Sequence, residues 1–119
     1  MTAITALTAR NTELNPLAIR RELQLSRERL GHIVHVSAKT LERWENRHEI
    51  LDPKARKDFA KLREISELAR TVYTPEGVKA FLMTPMTVFG GRTALGLMSL
   101  GEYDRVIAAL SADYEGLGH

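Results

Sequence analysis

Three of the four prolines in this chain follow a capping residue and open an apolar helical pattern: Asn15-Pro16, Asp52-Pro53 and Thr74-Pro75. The side-chain oxygen of Asn, Asp or Thr accepts a hydrogen bond from one of the orphan N–H groups at a helix start. Proline at the next position presets the helical φ where no donor is needed. Each pair therefore reads as the beginning of a helix. Ser26 and Ser37 are caps of the same kind without the proline, and Glu28 falls where an acid opposes the helix dipole. Pro85 acts in the other direction, because the residue ahead of a proline avoids helical geometry, so a helix begun at Pro75 must stop before it. This punctuation confines the chain to a series of short helices.

The apolar spacing agrees. A short helix is expected over about 16–24. Leu30, Ile33 and Val34 repeat at i, i+3 and i+4, and Leu41 and Trp44 lie one turn apart after the next cap. Phe59, Leu62, Ile65 or Ser66, and Leu68-Ala69 give the longest expected helix, about 53–70, apolar on one face and charged on the other. Val78, Phe81 and Leu82 fill one face of the next helix. Gly90-Gly91 reads as a tight turn, Thr93 as the cap of a stretch 94–100 and Gly101 as its end. A last helix is expected from about 102 to 114 with Tyr103, Val106, Ile107 and Leu110 apolar, and Gly116 fits a left-handed C-cap. No strand pattern emerges, so the expected fold class is all-α. Residues 1–14 are read as an arm, 15–70 as one helical domain with a long connecting helix, and 71–119 as a second small domain.

The net charge of +2 hides an asymmetry. Residues 1–70 carry 14 Lys and Arg against 10 Asp and Glu, whereas residues 71–119 carry 3 against 5. The first part suits a polyanion and the second does not. There are no cysteines, which excludes disulfides and thiolate metal sites and fits a cytoplasmic location. No apolar run approaches the ~20 residues of a membrane span, and residues 1–10 lack the basic start and long apolar stretch of a signal peptide.

Residues 26–45 meet the demands of a helix-turn-helix. Gly31 supplies the small residue where the second helix crosses the first. His35 occupies the turn position, where glycine is usual and His is among the tolerated types, and Val36 plugs the core behind it. Leu41 and Trp44 seat the second helix, whose exposed side is the one that enters a major groove. Ser37, Lys39, Thr40 and Arg43 project outward on this reading. Lys39 or Arg43 suits guanine edges, Ser37 and Thr40 suit phosphate or base, and Arg27 and Arg47 suit phosphates. Glu45 is expected at the edge of the core.

The C-terminal part carries Phe81-Leu82, Thr84-Pro85, Phe89-Gly90-Gly91, Leu95, Leu97-Met98, Gly101, Val106, Leu110, Tyr114 and Gly116 in fixed order. Over about residues 72–116 this resembles the toxin-binding domain of the Xre/MbcA/ParS antitoxins, whose two-part layout also has an Xre-like helix-turn-helix upstream. The chain departs from that pattern at Met86, commonly Asn, and at Thr93-Ala94, where a proline is common. The resemblance implies the antitoxin of a type II toxin–antitoxin system. Its partner would be a RES-domain toxin that destroys NAD, inhibited by covering its active site. The promoter DNA of its own operon would be a second ligand, and a homodimer within a larger complex is expected. Thr84, Pro85, Arg92, Tyr103, Arg105, Tyr114, Glu115 and Gly116 are the candidate toxin contacts, with Phe89, Leu95 and Leu97 expected in the core.

Nothing in the sequence pairs a nucleophile with a base, so no enzyme and no cofactor are expected. His32, His35 and His48 lack the converging third and fourth ligands of a metal site. Gly90-Gly91-Arg92 follows no strand and precedes no Gly-Lys-Ser/Thr, so it is not a phosphate loop. Two other functional classes stay open from the residues alone. One is a stand-alone helix-turn-helix transcriptional regulator with a C-terminal dimerisation domain. The other is an adaptor that keeps the helix-turn-helix only as scaffold.

Overall fold

The computed structural model describes residues 14–117. These form seven α-helices and no strand: α1 Pro16–Glu22, α2 Arg27–Val34, α3 Ala38–Arg47, α4 Pro53–Val72, α5 Pro75–Met83, α6 Ala94–Ser99 and α7 Tyr103–Leu117, with a 3-10 turn Thr87–Phe89 between α5 and α6. The arm expected over 1–14 lies outside the described residues except for Leu14, which packs half-buried on the core.

The expected caps form. Asn15 Oδ1 accepts from Ala18 N at 3.1 Å, Ser26 Oγ from Arg29 N at 3.1 Å and Asp52 Oδ2 from Ala55 N at 3.3 Å. Thr74 Oγ1 accepts from Gly77 N at 3.1 Å and Thr93 Oγ1 from Gly96 N at 2.9 Å. Each such cap contributes about 1 kcal/mol relative to alanine. Gln24 and His48 also take left-handed φ, 59° and 56°, which their side chains do not announce. One expectation fails: Gly116 does not end the last helix in a left-handed cap, because α7 continues through it to Leu117.

Helix α4 is the spine. Its inner face of Ala55, Phe59, Leu62, Ile65, Ser66 and Ala69 is buried, with α1 packed on it from the N-terminal half of the chain and α7 from the C-terminal half. Helices α2 and α3 pack on each other, and α2 also meets α6. One continuous apolar cluster runs from Ile19 to Leu110 through both halves. Fully buried side chains such as Phe59 and Leu62 each contribute roughly 2–3 kcal/mol by leaving water, so the two modules are stabilised by a shared core.

Candidate nucleic-acid and protein interfaces

The helix-turn-helix is organised by one close backbone approach. A Cβ on Gly31 would lie 2.5 Å from the Val36 carbonyl oxygen, so no larger residue fits at the crossing. His35 takes φ 62° and ψ 44°, the left-handed geometry its position requires, at a cost of about 1–2 kcal/mol for a residue with a Cβ. The N–H groups of His35 and Val36 both donate to Gly31 O. The His35 ring Nε2 lies 3.2 Å from the Ser99 carbonyl oxygen at the end of α6, so the turn rests against the C-terminal half.

Ser37 starts α3. Its Oγ accepts from Thr40 N at 3.1 Å and donates to Thr40 Oγ1 at 3.0 Å, and Arg43 Nη2 donates to the same Thr40 oxygen at 3.4 Å. Ser37, Thr40 and Arg43 thus form one linked row along the start of α3. Lys39, Arg43 and Arg47 are exposed, and among the described residues none of them is paired with a carboxylate. This is the row in which the sequence placed base and phosphate contacts.

Arg27 departs from its expected role as a simple surface cation. Its Nε donates to Glu45 Oε1 at 2.9 Å. Arg20, which the sequence did not single out, grips the same carboxylate with Nε to Oε2 at 2.6 Å and Nη2 to Oε1 at 3.2 Å. Glu45 is 2% exposed, and joins α1, α2 and α3. Burial pushes its carboxyl up, but the hydrogen bonds from Arg20 and Arg27 and their charges outweigh that and hold it below its ordinary range. The spacing of Arg20 from Glu45 is too long for any helical pattern, which is why the pair was not legible.

The Thr84–Arg92 segment closes on itself. Met86 N donates to Arg92 O at 3.1 Å and Gly91 N to Met86 O at 2.9 Å, while Gly90 and Gly91 take φ of 66° and 85°, which glycine adopts without strain. Phe89 turns inward and meets Phe81 edge-on at 6.4 Å, and Phe81 stacks on Tyr73 at 5.5 Å. The Tyr73 hydroxyl donates to Asp113 Oδ2 at 2.8 Å, tying the end of α4 to the far part of α7. Burial first, then the hydrogen bond and charge of Asp113, raise the Tyr73 phenol to about 12.

Thr84, Pro85, Arg92, Arg105, Glu115 and Gly116 are exposed, and Tyr114 is half-exposed. Arg105 Nη1 meets Glu102 Oε1 at 3.2 Å. Tyr103 is the correction: expected as a partner contact, it is 5% exposed and packs in the core at the first turn of α7. Burial, followed by the charge of Asp58 and a hydrogen bond to it, raises its phenol. The structure adds residues that the sequence reading missed. Val88, 63% exposed, and Phe89 line a shallow groove with Arg105, Ala108, Ala109 and Ala112 of α7. The signal for it was the run of alanines beside Arg105, which periodicity alone does not separate from a core face.

Among the described residues no helix is long and apolar enough to cross a membrane, and no three His, Asp or Glu side chains form a metal-ligating group. No protein-family model matches the sequence, and no curated protein matches it. A solved structure does: a chain in the crystal structure of the M. tuberculosis MbcT-MbcA toxin-antitoxin complex, at 22% identity and a TM-score of 0.76, over 88% of this chain and 95% of that one. Despite the low identity, the chain shares its all-helical fold with that component of a toxin–antitoxin complex over the matched residues.

Proposed function

We propose that the chain is the antitoxin of a type II toxin–antitoxin system, a binding protein and not an enzyme. It neutralises a RES-domain, NAD-degrading toxin by covering the toxin's active site. The observation that carries this reading is the extent of the fold match to a component of a toxin–antitoxin complex, 88% of this chain and 95% of that one. The Phe81–Gly91 signature and the exposed Arg92, Arg105, Tyr114, Glu115 and Gly116 support it further. The toxin-facing surface comprises Thr84, Pro85, Arg92, Arg105, Tyr114, Glu115 and Gly116, with the Val88 groove beside Arg105. Tyr103 supports that surface from within.

The second ligand is the operon's own promoter. Lys39 and Arg43 read base edges, Ser37 and Thr40 set the start of α3, and Arg27 and Arg47 meet phosphates, so the protein represses its own synthesis as a dimer. The test is co-expression with the RES-domain protein encoded beside it. The two co-purify and growth is restored. A neighbour that stays toxic and does not co-purify overturns the reading.

A further inference from the structure

We infer that Glu45 is a positioning residue for DNA: it holds Arg27 by one nitrogen so that the outer end of the guanidinium grips a backbone phosphodiester beside the recognition helix. This rests on the promoter-binding reading above.

The two arginines on Glu45 are not equivalent. The Arg20 side chain is 15% exposed and spends its remaining Nη1 on Leu25 O at 3.1 Å. It is a structural partner, consumed by the protein. The Arg27 side chain is 37% exposed, and among the described residues only its Nε is bonded. Among the described residues its two terminal nitrogens have no acceptor. A guanidinium is planar and stiff, so fixing Nε against a buried carboxylate fixes the plane in which the outer N–H groups point. That geometry suits the paired oxygens of a phosphodiester.

The charges around it sharpen the point. Glu28 and Glu42 act on Arg27 through space, yet neither bonds it. Arg27 is therefore not part of a broad positive patch, and undirected attraction at this spot would be weak. A contact here depends on where the donors point. The anchor also lies on α3 itself, so Arg27 at the start of α2 and the Lys39–Arg43 row on α3 are held in one register by a single carboxylate.

The test uses the full-length protein and a duplex covering the region upstream of its own gene, with anisotropy titrations over a salt series. Arg27→Ala lowers affinity about 8-fold at 0.1 M salt and makes the log–log salt slope shallower by about 0.9, the loss of one phosphate contact. Arg27→Lys keeps the charge but cannot bond Glu45 and phosphate together, so it binds like Arg27→Ala. Wild-type affinity for Arg27→Lys overturns the proposal in favour of undirected attraction. Glu45→Gln removes a negative charge, so Coulomb attraction alone would tighten binding; lost positioning weakens it. Tighter binding by a folded Glu45→Gln overturns the proposal. Should Glu45→Gln not fold, the Arg27→Ala and Arg27→Lys pair decides. Lys39→Ala with Arg43→Ala is the control: weaker binding there with no effect at Arg27 rejects this inference and leaves promoter binding standing. No binding by wild type rejects both.

Discussion

Gly31→Ala tests the packing that the whole helix-turn-helix depends on. In an ordinary helix this change stabilises, because alanine exceeds glycine by about 1 kcal/mol in helix propensity. Here the new methyl would sit 2.5 Å from Val36 O, some 0.9 Å inside the 3.4 Å at which ordinary contact begins. The oxygen is a backbone atom and cannot swing aside. Val36 N donates to Gly31 O at 3.0 Å and His35 is already left-handed, so moving the carbonyl loosens the turn itself. Overpacking of this kind costs up to about 3 kcal/mol. Set against the propensity gain, the net loss is about 2 kcal/mol, which lowers the melting temperature by about 8 °C for a domain of this size. Thermal denaturation followed by circular dichroism measures it, and a promoter titration reports whether α3 has shifted. A Gly31→Ala protein as stable as wild type, or more so, would refute the close crossing of α2 and α3.

Glu45 has a folded carboxyl pKa below its ordinary 4.5, so its contribution is full above that value and disappears as pH falls through the lower folded one. Denaturant midpoints of wild type therefore drop below about pH 4.5 more steeply than those of Glu45→Gln, and parallel curves contradict the ion cluster. Tyr73 has the opposite sign: raised from 10.0 to about 12, it contributes fully below pH 10 and loses that contribution as pH rises toward 12. Tyr73→Phe removes one late-titrating phenol from the alkaline absorbance curve and about 1 kcal/mol of stability at neutral pH; loss of a phenol that titrates at the ordinary 10.0 instead rules out the Tyr73–Asp113 bond. Lys39→Ala with Arg43→Ala weakens promoter binding at least about 10-fold while toxin neutralisation persists, and an unchanged gel shift rejects α3 as the reading helix.

The helices were legible because their signals are local. A cap, a proline and an apolar stripe lie within a few residues, and Asn15, Asp52 and Thr74 cap as their spacing requires. Gly31 and His35 were legible because a helix-turn-helix makes one steric demand at each. Interactions across the chain were not. Arg20 and Arg27 reach Glu45 over sequence separations of 25 and 18 residues, and no spacing rule connects them. Tyr103 was misplaced for a related reason: an amphipathic aromatic serves a core or an interface equally well, and only its position over Asp58 decides. Gly116 was read as a terminator, yet it carries on the helix among exposed residues, where nothing nearby forces a turn.

The central claim is tested most directly by titrating the purified full-length protein into the RES-domain toxin proposed as its partner and following NAD consumption. Occlusion of the active site predicts that NAD loss falls to zero at saturation and that raising NAD increases the antitoxin concentration needed for half-inhibition. NAD consumption that continues unchanged in the presence of excess antitoxin contradicts the account.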